Sequence, residues 1–280
     1  FSTVKIVVNH IRQQKQRTSY TFHLYHSMSS TGAGYDLSAT TFSPDGKIFQ
    51  VEYASKAVES RGTAIGVKCL DGVILAVEKI LPSKLLVPSS NKKIHHVTPH
   101  IGMALAGLAA DSRQIVNRAR DEASNYYENY GEKISPSILT DRVHSFVHYY
   151  TMHGSVRPFG VATLIAGYDE QLKEPQLYMI EPSGVSYRYY GCAIGKGRQQ
   201  AKTEIEKMKF LQMPCRNAIK FIAKILHLLH DDTKDKPFKL EMSWLCQETE
   251  YRHALVDERL LEEAEQWAKD SIEEDEMAED

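Results

Sequence analysis

The segment YDLSATTFSPDGKIFQVEYASKAV, residues 35–58, is the most informative part of the sequence. At its centre, Ser43-Pro44-Asp45-Gly46 has the residue order of a type I turn, because proline presets φ at the second corner and glycine is tolerated at the last. The pattern predicts an arm and turn over residues 28–46 and an amphipathic first helix over residues 47–60. An ordinary surface helix with a leader would give the same pattern. The apolar residues that recur at helical spacing between charged ones are Ile48, Val51, Ala54 and Val58.

The composition is that of a soluble globular protein. The chain has 280 residues, of which 42% are hydrophobic and 25% charged, and its formal net charge is -2. This length suffices for one large core or two ordinary ones. No apolar run approaches the roughly 20 residues of a membrane span. Basic residues are dispersed and the pI is near 6.7, which argues against nucleic-acid binding. We expect neither a membrane nor a nucleic acid among the partners.

The residue types that most often bind metals are not spaced as a metal site. Four cysteines lie far apart without a CxxC pair, so the sequence indicates neither a zinc ribbon nor a redox dithiol, and we expect reduced thiols. His144 and His148 lie one helical turn apart, but position 145 is serine and no third ligand has a recognised spacing. His95 and His96 alternate across a strand and face opposite sides. We expect no metal and no cofactor. The cysteines are Cys69, Cys192, Cys215 and Cys246.

The order of periodic segments predicts an α/β fold in a single domain over residues 28–270. Two hairpins, two helices, a third hairpin, two helices, a strand and a helix suit two stacked sheets flanked by helices. The run GCAIGKG, residues 191–197, lacks the spacing and the hydroxyl of a phosphate loop, so we interpret it as a strand-to-helix turn. The predicted strands cover residues 63–69, 73–78, 93–97, 101–107, 159–167, 176–180, 184–190 and 238–245. Beyond the first helix, the predicted helices cover residues 111–130, 197–211, 214–230, 257–269 and a segment from Ser135 towards Gly154.

The two ends of the chain differ in charge. Residues 1–27 carry basic side chains and no acid, as mitochondrial presequences do, but the chain begins at Phe1 and its first methionine is Met28. We interpret residues 1–27 as a disordered extension from untranslated-region sequence or from the gene model, with a genuine extension as the alternative. Residues 271–280 are almost all acidic, so repulsion among like charges predicts a disordered, solvated tail.

Several motifs along the chain resemble those of one family. FSPDGKIFQVEYA, residues 42–54, is similar to the N-terminal signature of proteasome α-type subunits, and Tyr35-Asp36 match their pore-side Tyr-Asp pair. Leu37, where most α-type subunits have arginine, the GCAIGK run and the acidic end point to the α type-3 branch, the α7 ring position, whose members would start at Met28. The resemblance implies a four-layer αββα sandwich of two antiparallel sheets, the N-terminal-nucleophile hydrolase fold, preceded by the α-type helix. It continues through GTAIG (62–66), AGLAADSR (106–113), RPFG (157–160) and GVSYRYYGCAIGKGRQQAKTEIEK (184–207).

The resemblance also implies that this chain is not a peptidase. Catalytic β-type subunits begin their first strand with a threonine whose own α-amino group is the base. Matching the turn at Asp71-Gly72 places Gly62 at the nucleophile position, Glu78 at the acidic partner and Lys93 near the family's lysine. Glycine has no oxygen for attack, and Thr63 has no free amine while the first helix precedes it. Two other hypotheses remain open from the sequence: an active threonine peptidase that starts at Thr63, and a free-standing adaptor with an acidic tail.

The family assigns roles to particular positions. Residues that match Tyr35, Asp36, Pro44 and Tyr53 form a cluster with a neighbouring subunit that holds the arm in its open position. Lys93 matches a lysine in a pocket between subunits that receives the C-terminal carboxylate of activator tails; a solvated lysine is the alternative.

Ser271 has an acid at the third following position, the pattern that acidophilic kinases favour, and related subunits are phosphorylated in such a tail. The implied partners are the other α-type subunits of a heptameric ring, β-type subunits, the 19S ATPase ring and other activators. The implied process is ATP- and ubiquitin-dependent as well as ubiquitin-independent protein degradation, in cytoplasm and nucleus.

Overall fold

The helices and strands fall into two groups, each built on one sheet. The structure is a computed structural model that describes residues 34–81, 83, 85–87, 90–230 and 236–279. The helices in these residues are α1 (Phe49–Glu59), α2 (Ala109–Tyr130), α3 (Pro136–Tyr149), α4 (Arg198–Lys207), α5 (Cys215–Leu229) and α6 (Glu258–Glu279). The strands are β1 (Ala64–Lys68), β2 (Gly72–Ile80), β3 (Ile94–Thr98), β4 (Ile101–Gly107), β5 (Val161–Asp169), β6 (Glu174–Ile180), β7 (Ser186–Arg188), β8 (Gly191–Ile194), β9 (Phe238–Cys246) and β10 (Ala254–Leu255).

The described strands form two antiparallel five-stranded sheets. The first sheet has the order β10-β9-β2-β1-β8, and the second has the order β3-β4-β5-β6-β7. The predicted hairpin of β1 and β2 is present, with Ala64 opposite Val77 and Lys68 opposite Val73. Every residue of β4 is buried, because this strand is covered on both faces. Its sequence is therefore a continuous apolar run rather than an alternating one.

Three hydrophobic clusters define the order of the layers. Between the sheets, Leu75 of the first packs in one cluster with Leu164 of the second. The outer face of the first sheet packs against α4, α5 and α6 in a cluster that includes Ile222. The outer face of the second sheet packs against α2 and α3, where Leu139 is fully buried. This arrangement confirms the predicted four-layer αββα sandwich with its preceding helix.

Several helix ends follow signals that the sequence shows. The Ser135 side chain accepts a hydrogen bond from the Ile138 amide at 3.3 Å, and Pro136 is the first residue of α3. The last turn of α2 closes at Gly131, which has φ 70° and is thus in the left-handed region that glycine tolerates. The local capping chemistry therefore sets the end of α2 and the start of α3, as predicted.

The prediction of a strand-to-helix turn over residues 191–197 is wrong in its first half. Gly191–Ile194 is strand β8, which pairs antiparallel with β1 at the edge of the first sheet. The predicted single strand at residues 184–190 is instead the short β7 of the second sheet. The turn begins at Gly195, whose φ is 96°. Pairing with a strand over 100 residues away in sequence makes β8, and no local pattern encodes that contact.

The prediction of a disordered tail from Ser271 is also wrong for the described residues. Helix α6 continues to Glu279, ten residues beyond the predicted end at 269. The Lys224 ammonium of α5 donates to the Ser271 hydroxyl at 2.8 Å and lies 2.6 Å from the Asp275 carboxylate. A cation on the neighbouring helix thus offsets part of the repulsion among the acidic side chains.

Two predictions fall outside the described residues: the disordered extension over residues 1–27 and a start at Met28. Both remain predictions. In the described part of the chain, no helix combines the length and the apolar character that a membrane crossing requires.

Candidate functional site

The arm enters α1 through the predicted tight turn. The Gly46 amide donates to the Ser43 carbonyl at 2.9 Å, and the Ser43 amide donates to the Lys47 carbonyl at 2.8 Å. The Ser43 hydroxyl also accepts from the Lys47 amide at 3.0 Å. Gly46 has φ 73°, a conformation in which a side chain is strained. These contacts fix the direction in which the arm leaves the helix.

The arm folds back along α1 and is attached to it by Asp36. The Tyr53 hydroxyl donates to the Asp36 carboxylate at 3.4 Å, and the Gln50 side-chain amide donates to the Asp36 carbonyl. Desolvation and then the Asp36 charge raise the pKa of Tyr53, so the phenol stays protonated as a donor. The structure therefore brings Asp36 and Tyr53 together, whereas Tyr35 and Pro44 are exposed. Gln50 was not predicted as a contact.

The position that matches the catalytic nucleophile is closed by backbone packing. A Cβ atom on Gly62 would lie 2.4 Å from the carbonyl oxygen of Glu78, closer than real Cβ contacts come. Thr63 is buried, its amide donates to the Glu78 carboxylate at 2.8 Å, and its hydroxyl accepts from the Gly197 amide at 3.1 Å. The threonine nitrogen is thus a peptide amide bound to an acid, and it is not a free base.

Glu78 has a structural partner that sequence reasoning did not find. Its second carboxylate oxygen lies 2.7 Å from Nδ1 of His230, and both side chains are buried. Since Glu78 lies on β2 and His230 directly follows α5, the pair joins the first sheet to the helix layer. Glu78, which aligns with the acidic catalytic partner, therefore has a structural role in this chain.

Lys93 lines a small basic cavity of about 180 Å³. Its backbone amide donates to the Glu241 carboxylate at 3.4 Å, and the next amide, of Ile94, donates to the same carboxylate at 3.2 Å. Burial, and then the nearby charge of Arg61, lowers the pKa of the half-buried Lys93 ammonium. An incoming carboxylate would stabilise the charged ammonium and so offset the cost of its desolvation. The other lining residues include Lys92, His95, Ser112 and Arg113.

Two motifs that the sequence shows separately meet in space. Arg157 of RPFG contacts Asp111 of AGLAADSR through two nitrogens, at 2.7 Å and 2.8 Å, and the Gly160 amide donates to the same carboxylate at 3.0 Å. The Arg157 guanidinium holds the pKa of Asp111 below its ordinary value. The pair ties the start of α2 to the loop before β5. Its role here is structural.

The histidines of α3 have partners within the chain. His144 lies 3.8 Å from the Asp141 carboxylate, and Nδ1 of His148 lies 3.2 Å from the Ser183 carbonyl. His96, on β3, contacts His253 with a ring separation of 4.5 Å, whereas His95 lines the Lys93 cavity. The structure thus places the two adjacent histidines in different environments, as the strand alternation predicts.

Comparison with known proteins agrees with this geometry. The family model "Proteasome subunit" matches residues 58–245, and a second model, which describes the N-terminal signature of α-type proteasome subunits, matches residues 35–57. The alpha type-3 proteasome subunit of Spinacia oleracea is 56% identical over 247 residues, which cover 88% of this chain and 98% of that protein. Its namesake in Dictyostelium discoideum is 50% identical over 250 residues, 89% of this chain and 100% of that protein.

A third relative, the probable alpha type-7 proteasome subunit of Saccharomyces cerevisiae, is 48% identical over 249 residues, 88% of this chain and 86% of that protein. The names of the relatives confirm the predicted branch, and the peptidase and free-standing adaptor hypotheses are not favoured. The chain therefore belongs to the proteasome subunit family, as a noncatalytic α-type subunit of the 20S core.

Proposed function

We propose that this subunit gates the axial pore of the α-ring with its N-terminal arm. The observation that carries the proposal is the attachment of Asp36 to Tyr53 and Gln50 of α1. These contacts exist only while the arm lies along the helix. They therefore stabilise one arm position and shift the equilibrium toward it, since only a contact that differs between states moves a population.

A neighbouring subunit supplies the other half of the cluster in this proposal. Tyr35 and Pro44 are exposed beside the attached segment, where an adjacent chain can contact them. Leu37 is 85% exposed and Phe42 is 65% exposed, so the arm also presents apolar surface that an interface would cover. Leu37 in place of arginine removes one polar tether, which leaves the apolar and Asp36 contacts to hold the arm.

Tyr53→Phe tests the gate. The change removes only the hydroxyl, and a net hydrogen bond of about 1 kcal/mol corresponds to roughly fivefold in the equilibrium of this arm. We expect assembled core particles with normal basal peptidase activity and reduced activator-stimulated peptide hydrolysis. Tyr127→Phe, at an exposed tyrosine on α2, is the matched control. Stimulation equal to that of wild type in the Tyr53 variant would reject the assignment of this contact to the open gate.

We also propose that the Lys93 cavity binds the C-terminal carboxylate of an activator tail. Its support is the half-buried ammonium of lowered pKa, together with Lys92 and Arg113 in the lining. The cavity volume of about 180 Å³ suits the end of a peptide rather than a folded partner. A neighbouring α-type subunit would complete the pocket, and the regulatory caps are the expected source of the tail.

Lys93→Ala is expected to weaken tail binding at this pocket about tenfold, because a charge-assisted hydrogen bond is worth about 1.5–3 kcal/mol. Binding of a synthetic tail peptide to purified core particles, and of the same peptide with an amidated C-terminus, measures the effect. The amidated peptide should bind wild type and variant alike. Lys207→Ala, at an exposed lysine outside the cavity, controls for general charge. Unchanged affinity in Lys93→Ala would leave this lysine as a solvated side chain.

Ser271 is the proposed phosphorylation site, and its surroundings make the consequence specific. Phosphate adds about -1.5 to -2 charge next to the Lys224 ammonium that already contacts the hydroxyl. It would strengthen the contact between α5 and α6 and increase the negative charge that a cap meets. We expect Ser271→Glu to change cap co-purification relative to Ser271→Ala, with basal peptidase activity unchanged. Identical cap occupancy in wild type and both variants would sink the proposal.

The family also suggests a wider setting for this subunit. We propose a mature chain that starts at or just after Met28, in a heptameric α-ring stacked on β-type subunits and capped by the 19S ATPase ring or other activators. It would serve ubiquitin-dependent and ubiquitin-independent degradation in cytoplasm and nucleus. Mass spectrometry of core particles from each compartment tests this. Peptides from residues 1–27, or absence of the chain from one compartment, would contradict it.

A further inference from the structure

Three of the four cysteines meet in the helix-side core of the first sheet. Cys69 follows β1, Cys215 is the first residue of α5, and Cys246 is the last residue of β9. All three are buried and belong to the same hydrophobic cluster. The fourth cysteine, Cys192, lies in the cluster between the sheets. Three cysteines that are far apart in the sequence thus lie in one buried cluster, which their spacing does not predict.

A carboxylate completes this group. Asp71, in the turn between β1 and β2, accepts a hydrogen bond from the Cys215 amide at 2.7 Å. One carboxylate oxygen of Asp71 and the sulfur atoms of Cys215 and Cys246 all lie within 4.8 Å of one another. Tetrahedral zinc has bonds of about 2.3 Å to sulfur and about 2.0–2.2 Å to oxygen, so its ligand atoms lie roughly 3.5–3.8 Å apart. Small side-chain movements bring these three atoms to that spacing.

We propose that Asp71, Cys215 and Cys246 form a binding site for a thiophilic divalent metal ion, Zn²⁺ in the first instance. Thiolate ligands select zinc over magnesium or calcium, which prefer all-oxygen sites. Binding replaces the S–H protons with metal–sulfur bonds and releases those protons to solvent. The half-buried Asp71 gives the ion its path of entry from the surface turn, whereas the buried thiols close the far side.

The site would be structural. It would join the β1–β2 turn, the start of α5 and the end of β9. Of these, Asp71 in the turn and Cys215 at the start of α5 lie 144 residues apart in the chain. A metal that binds the folded chain and not the unfolded one stabilises the fold by mass action. The site lies apart from the arm and the Lys93 cavity and does not depend on the proposed gate.

Cobalt titration of the full-length chain tests the site. The protein is treated with a chelator, kept reduced with a phosphine, and titrated with Co²⁺, whose thiolate charge-transfer band reports sulfur ligands and whose displacement by Zn²⁺ gives relative affinity. We expect one equivalent of Co²⁺ to give this band. Asp71→Asn keeps an oxygen that accepts from the Cys215 amide but removes the anionic ligand. Because even outer-shell partners are worth about 10–100-fold in metal affinity, we expect at least a tenfold loss.

Cys246→Ser should weaken the band and lower the affinity for Co²⁺, and Cys192→Ser, at the buried cysteine outside the group, should leave both unchanged. Circular dichroism of each variant checks its fold. If Cys246→Ser does not fold, the Co²⁺ affinity of Asp71→Asn decides the outcome. Three results would overturn the proposal: no charge-transfer band in wild type, equal Co²⁺ affinity in Asp71→Asn and wild type, or a Cys215–Cys246 disulfide in the protein as purified.

Discussion

Gly62→Ala is expected to destabilise the folded chain by about 3 kcal/mol, at the upper end of what overpacking costs. The new Cβ would lie 2.4 Å from the Glu78 carbonyl oxygen, which is backbone and cannot rotate away. Neither strand can shift easily, because the Glu78 amide donates to the Thr63 carbonyl at 2.8 Å and the Thr63 amide donates to the Glu78 side chain at the same distance. A threonine here, as in a catalytic subunit, would meet the same carbonyl oxygen.

Urea unfolding of the purified full-length chain measures this loss. Gly131→Ala is the matched control, since it also adds a methyl group to a glycine but has nothing within 4 Å of the new atom. Its cost is that of a left-handed residue, about 1–2 kcal/mol. A larger loss in Gly62→Ala would therefore exceed the cost of backbone strain at a glycine with open space around it. If Gly62→Ala is no less stable than Gly131→Ala, the backbone does not close this position.

Asp111→Ala is expected to cost about 2–3 kcal/mol, because it leaves the buried Gly160 amide without its acceptor and removes both nitrogen contacts of Arg157. Arg157 is 61% exposed, so solvent screening reduces the contribution of the ion pair to the free energy of unfolding. Most of the expected loss therefore comes from the buried Gly160 amide. Unfolding of the full-length chain gives the value. Lys133→Ala breaks the exposed pair with Glu170, 56% and 54% exposed, and should cost less than about 1 kcal/mol.

The contact between Arg157 and Asp111 predicts that the stability of the fold depends on pH. Arg157 lowers the pKa of Asp111 below its ordinary value of 3.8, so the folded state binds this proton more weakly than the unfolded chain. The stabilising contribution is thus complete above the ordinary pKa and is lost as pH falls through the lowered one. The free-energy difference between wild type and Asp111→Ala should shrink as pH falls below about 4. A difference that stays constant down to about pH 2 would show that the carboxylate charge contributes nothing.

Local chemistry made much of the fold predictable. The turn at residues 43–46 and the apolar spacing of α1 are encoded within a few residues, and the continuous apolar run of β4 indicates a strand covered on both faces. Strand β8 was not predictable in this way, because its four residues become a strand only through pairing with β1. The extension of α6 likewise depends on Lys224, which lies on another helix.

In the candidate site, too, local motifs were predictable and contacts between distant residues were not. Tyr53 and Asp36 were identified through the family motif, and the structure brings them together; Gln50 was missed because an amide that binds a distant carbonyl leaves no pattern in the sequence. His230 was missed for the same reason. The cluster of cysteines around Cys215 shows most clearly where prediction from sequence ends. Its members lie at positions 69, 215 and 246 and share no spacing motif.

The most direct test of gating without catalysis compares Tyr53→Phe with Thr63→Ala in assembled core particles. Peptide hydrolysis is measured for each cleavage specificity, with and without an activator, and is normalised to particle yield. We expect Thr63→Ala to leave every activity unchanged, because Thr63 directly precedes β1 and its nitrogen is a bound peptide amide. We expect Tyr53→Phe to lower only the stimulated rates. Selective loss of one cleavage specificity in Thr63→Ala, with full stimulation in Tyr53→Phe, would contradict gating without catalysis.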